Sequence, residues 1–120
     1  MSEPIWNPLQ VEERIAGISN RIAKSVTVCS SAYREFMRCD LDYDRAYAHA
    51  YMAHDGPAHE KKYAAELATY DERQARDVAD VAYRHADRLA RALEAELRAM
   101  QSIGASIRMQ YGVAGRGEGA

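Results

Sequence analysis

The sequence predicts an all-α chain: a long antiparallel, coiled-coil-like helical hairpin with a short helix or bend at about 55–69, oligomerising into a bundle. Three observations carry that expectation. No proline interrupts residues 11–56 or 58–120, as long helices require, because an internal proline removes a backbone donor and clashes with the preceding turn. Apolar residues recur at threes and fours in both halves. Between the halves stands Gly56-Pro57, a stop followed by a fresh start.

The first helix has a legible start. Asn7 can cap it, Pro8 suits the first helical position, Gln10 completes an Asn-x-x-Gln box, and Trp6 stands where a staple onto Val11 forms. Its stripe runs Val11, Ile15, Ile18, Ile22, Cys29, Tyr33, Phe36, Tyr43 and Tyr47, with one slip near Val26. The second stripe reads Val78, Ala82, His85, Leu89, Leu93, Met100, Ile103 and Ile107, widened by Val81 and Leu97. Thr69-Tyr70-Asp71-Glu72 reads as an internal capping box that starts this helix anew. At 1.5 Å per residue, helices over 8–53 and 70–111 span about 69 and about 63 Å and match as antiparallel partners. An unbroken helix from 57 to 111 would run about 83 Å and overhang, so a short helix near 57–68 is placed in the bend. The hairpin is thus one domain over 1–111. Gly112 ends the helix, and 112–120 is read as a flexible tail.

Composition narrows the function. With 120 residues the chain is one domain's worth, and a net charge of −2 gives no global pull toward nucleic acid or anionic membranes. No segment reaches a membrane-spanning length, and "MSEPIWNP" lacks the basic start and apolar core of a signal peptide. Cys29 and Cys39 lie ten residues apart on one helix, about 15 Å and too far for a disulfide. Reduced thiols and a cytoplasmic setting follow, with no membrane partner.

The densest polar stretch, residues 40–60, resolves mostly into architecture. Asp40, Asp42 and Asp44 open like a calcium loop, but the required glycine and glutamate positions hold Arg45 and Tyr51. His49, His54 and His59 are spaced by five, which separates successive helical side chains by about 140° and does not build a metal pair. No metal and no cofactor are expected. Asp40 falls on the stripe between Phe36 and Tyr43, and a carboxylate there requires a partner. In the antiparallel register above, Asp40 faces Arg84 or His85, which are the candidates to fix the register. The arginine ladder Arg84, Arg91, Arg98 is matched four residues earlier by Asp80, Asp87 and Glu94, so it reads as a solvated face.

Charge is uneven. Residues 40–80 hold five Lys/Arg against ten Asp/Glu, and the remainder eleven against eight. The hairpin gathers that basic remainder at its open end, where Arg14, Arg21, Lys24, Arg98, Gln101, Ser102 and Arg108 form a candidate surface for a partner protein or nucleic acid, joined by Arg116 of the tail. Catalysis has no support: there is no phosphate-binding glycine loop, nucleophile elbow or HExxH. The chain is read as not an enzyme.

At "AYAHAYMAHDGPAHEKKYAAELAT" and "LEAELRAMQSIGASIRMQYG" the chain resembles a group of short helical proteins encoded by actinobacterial phages and prophages, over about two thirds of its length. Many of those lie near genes of DNA recombination or replication. The resemblance implies a phage origin, hence the host cytoplasm, and a non-enzymatic helical accessory role. It transfers no catalytic residue. The expected function is therefore an interaction or adaptor protein that forms homo-oligomers and contacts a host or phage protein. The alternatives are a nucleic-acid-binding accessory factor in phage recombination or replication, and a virion or assembly component.

Overall fold

A computed structural model describes residues 6–118, with side chains from 6 to 112. Three helices follow in order: α1 (Pro8–Ala53), α2 (Ala58–Ala68) and α3 (Tyr70–Glu118). The long α1 and α3 pack antiparallel with α2 between them in the chain, the all-α hairpin expected from the sequence. α3 runs through Gly112, which was read as its stop, to Glu118. The Arg116 side chain, assigned to the open end, lies outside the described side chains.

The helix starts have local causes. At α1 the Asn7 backbone N–H donates to Gln10 Oε1 at 3.1 Å and the Gln10 N–H donates to Asn7 Oδ1 at 2.8 Å. Two backbone donors that would otherwise lack partners are thereby satisfied reciprocally. Trp6 packs against the cluster that contains Val11, as a staple does. α2 begins after Pro57, whose φ of −60° and extended ψ of 154° turn the chain into the helix. Thr69 joins α2 to α3 differently from the capping box expected of it. Its Oγ1 donates backward to the Ala65 carbonyl at 2.6 Å instead of accepting from the first turn of α3. Thr69 is 2% exposed, and a buried hydroxyl takes the nearest acceptor, here the carbonyl one turn earlier.

The buried face follows a strict three-four spacing. On α1 the covered or half-covered positions that keep it are Val11, Ile15, Ile18, Ile22, Ser25, Cys29, Ala32, Phe36, Cys39, Tyr43, Ala46 and Ala50, with Asp40 and Tyr47 half-covered beside them. On the return leg they are Ala65, Thr69, Glu72, Arg76, Ala79, Tyr83, Ala86, Ala90, Leu93, Leu97, Met100, Gly104 and Ile107, with Asp80, Asp87, Glu96 and Ile103 half-covered beside them. A heptad repeat of this kind is the seam of a coiled coil. The slip near Val26 is Ser25, which enters the seam with its hydroxyl bonded to the Ile22 carbonyl at 2.6 Å, while Val26 is exposed.

The chain divides into two compact units, Met1–Val26 with Leu89–Ala120, and Thr27–Arg88. The first has an aliphatic core of Val11, Ile18, Met100 and Ile107, packed by Trp6, Ile15, Ile22, Leu97 and Ile103. Burying an Ile or Leu side chain stabilises by roughly 1.5–3 kcal/mol, so this cluster is a strong one. In the second unit the fully buried positions are small: Cys39, Ala65, Thr69, Ala79 and Ala86. Each methyl contributes far less, and the larger groups of this part of the seam, Phe36, Tyr43 and Tyr83, are only half-buried. Tyr33 and Tyr83 meet with centroids 5.2 Å apart, and Arg76 lies 4.6 Å above the Tyr43 ring.

Two corrections concern α3. Val78, Ala82, His85 and Leu89 were expected in the seam, yet all four are exposed, and Ala79, Tyr83, Ala86 and Ala90 take their place. The expected stripe steps four from Leu93 to Leu89 where the seam steps three to Ala90, and that one residue turns it about 100° off the buried face from there toward the N-terminus. The register also differs: Asp40 meets neither Arg84 nor His85. Arg76 Nη1 stands 3.7 Å from Asp40 Oδ1, Arg84 turns to Asp80 of its own helix at 2.9 Å, and His85 is exposed. The pairs 40 with 76 and 33 with 83 are both centred on residue 58. The chain thus folds back at Pro57, and α2 belongs to the return leg. Treating α2 as the bend displaced the expected partner of Asp40 by somewhat more than about two turns.

Candidate interaction site

Two surfaces merit comparison, one in each unit. In the first, Arg14, Arg21, Lys24, Arg98, Gln101, Ser102 and Arg108 are all exposed. They do not form a single free basic field. Arg14 donates to Glu96 Oε1 across α1 and α3 at 2.6 Å, so its charge is matched within the unit. Arg14 and Arg21 flank a shallow hollow with Glu13, Gly17 and Ile18. Ser102 lies on a different one, with Trp6, Ile103, Ser106, Ile107 and Gln110.

The second surface was missed in the sequence because its residues were assigned to the core. Val78 and Val81 are 65% and 67% exposed on α3, with Ala82 and His85 exposed beside them. The inversion is physical. Alanines at 79 and 86 are buried in the seam, and the valines project beside it, uncovered by any described residue. The same side carries a groove of about 510 Å³ whose lining is Glu35, Arg38 and Cys39 from α1 and Asp71, Gln74, Ala75, Val78, Ala79 and Ala82 from α3.

Its polar wall is an ordered ion cluster. Arg38 donates to both Glu35 oxygens, at 2.6 and 3.1 Å, and to Asp42 Oδ2 at 3.1 Å. The Arg38 bond holds the Glu35 carboxyl below its usual range, and Glu35 in turn raises Arg38 further above an already high one. Within the groove's lining, Glu35 and Asp71 stand against the single guanidinium of Arg38, which leaves it acidic. Cys39 is 6% exposed and directs its thiol to Glu35 Oε1 at 3.6 Å. Burial, together with the neighbouring carboxylate, pushes the thiol pKa up, the opposite of what a nucleophilic cysteine requires.

The bend and its neighbourhood hold contacts and no cluster of ligands. His54 Nε2 lies 3.4 Å from Glu60 Oε2 around Gly56, and Lys61 stands over the Tyr51 ring at 5.9 Å. Among the described residues, no three His, Cys, Asp or Glu side chains come together in a metal-holding arrangement. Asp40 and Asp42 point to different arginines, Arg76 and Arg38. Among the same residues, no helix is long and apolar enough to cross a membrane. Comparison of the chain with family models, curated proteins and solved structures gave no match.

Proposed function

We propose that the protein is a non-enzymatic helical interaction module, an adaptor that works through protein–protein contacts made by the outward apolar face of α3. The observation that carries this reading is the inversion of size across α3: small side chains fill the seam while Val78 and Val81 stand in solvent. Apolar side chains grouped on one face and rimmed by charge are the pattern of a contact surface. The lining of the adjacent groove, apolar at its floor with carboxylates at its wall, supplies the rim.

The test compares the tagged wild-type chain with Val78→Asp/Val81→Asp as bait in cell extract. Both positions are exposed, so helicity and melting temperature should be retained. A defined protein held by the wild type and lost by the variant supports the reading. Equal capture by both removes it. A second reading, nucleic-acid binding, is favoured by the exposed Arg21, Lys24, Arg98 and Arg108 of the first unit. It predicts retardation of DNA or RNA at low salt that weakens steeply as salt rises and disappears when those four residues are neutralised.

A further inference from the structure

We infer that the occupant of the α3 face is a second copy of this chain, docked antiparallel about a two-fold axis between Val81 and Ala82. This rests on the interaction reading above and names its partner. The arrangement follows from the order of residues along one helix. Taken about the midpoint of 81 and 82, Val78 comes opposite His85 of the second copy, and Val81 opposite Ala82. An isologous interface needs such a self-complementary patch, and the three-four spacing of 74, 78, 81 and 85 gives it the geometry of a helix seam. Alanine at 82 beside valine at 81 lets two backbones approach at the axis.

Charge selects the antiparallel direction. Residues 71–80 carry four acids (Asp71, Glu72, Asp77, Asp80) against two arginines, and residues 83–88 carry two arginines against one aspartate. An antiparallel pair lays the acidic segment of each copy along the basic segment of the other, with Asp77 facing Arg88, while Arg84 is held by Asp80 of its own helix. A parallel pair would set like against like. The groove beside the acidic segment reinforces the preference. Its lining sets two carboxylates, Glu35 and Asp71, against the single guanidinium of Arg38, so it favours a basic helix. Complementary potentials of this kind fix orientation more than they add affinity.

Three measurements test the proposal on the full-length chain. Sedimentation analysis should give a concentration-dependent dimer whose dissociation constant rises roughly thirtyfold or more in Val81→Asp, which places a charge at the axis. Asp77→Arg and Arg88→Asp should each weaken the dimer on the order of tenfold, and the double variant should recover most of that loss. Ala82→Cys should form an intermolecular disulfide on mild oxidation, whereas a cysteine at position 62, on α2, should not. Failure of the charge swap to rescue, or a dimer untouched by Val81→Asp, overturns the proposed geometry. A chain that stays monomeric at all concentrations overturns self-association. If it then still captures a partner that Val78→Asp/Val81→Asp loses, the interaction reading survives and only the identity of the occupant falls.

Discussion

Arg76 holds two groups of α1 at once, the Asp40 carboxylate at 3.7 Å and the Tyr43 ring at 4.6 Å. The side chains of Arg76 and Asp40 are 29% and 41% exposed, and ion pairs open to water stabilise by about 1 kcal/mol at most. Asp40→Asn should therefore lower the melting temperature only slightly. Arg76→Ala also removes the cation–π contact and the stem packed beneath it, and should cost about 1–2 kcal/mol in chemical denaturation. Equal losses would show that the ring contributes nothing. Cys39 gives a pH-dependent prediction. Its folded pKa is raised, so its contribution to stability is complete below the thiol range of the unfolded chain and is lost as pH rises through the folded value. The melting temperature should decline on the alkaline side, and Cys39→Ala should remove that part of the decline. Glu35 acts in the other direction: its pKa is lowered, so the support it gives Arg38 is present above the ordinary carboxylate range and is lost in acid.

At the scale of elements, two glycines separate helix propensity from packing. A Cβ added at Gly17 meets nothing within 4 Å, whereas one at Gly104 stands 3.1 Å from Val11 Cγ1 in the buried seam. Replacing a mid-helix glycine by alanine stabilises by up to about 1 kcal/mol where space is open. Gly17→Ala should show that gain in thermal unfolding. Gly104→Ala should show less or a loss, and Gly104→Leu a clear loss. The contrast also explains which parts of the fold were legible in the sequence. α1 could be read from Val11 to Ile22 because its seam is built from bulky aliphatics that stand out against polar neighbours. The N-terminal half of α3 could not, because its most buried positions, 79 and 86, are alanine, and alanine also occupies positions 75, 82, 92, 95 and 99 around the same helix. Tracing the larger side chains there picks out the face left in water. The candidate site was hidden by that same misreading. The Asp40 partner was hidden by the register, which depends on where α2 joins the return leg, and no local motif states it.

For the molecule as a whole, the proposed self-association accounts for the apolar residues outside the seam. Helices in proteins gain most of their stability from a packed amphipathic face, and the unit formed by Thr27–Arg88 buries mainly alanine, cysteine and threonine while leaving Val78 and Val81 open. A second copy over that face would cover them, so dimerisation should raise the melting temperature as concentration rises. The measurement that tests this account most directly is the mass of the chain in solution across a wide concentration range, wild type beside Val81→Asp. The account predicts a wild-type chain that passes from monomer to dimer and a variant that remains monomeric over the same range. A wild-type chain that stays monomeric throughout, or a variant that dimerises as readily as the wild type, would contradict it.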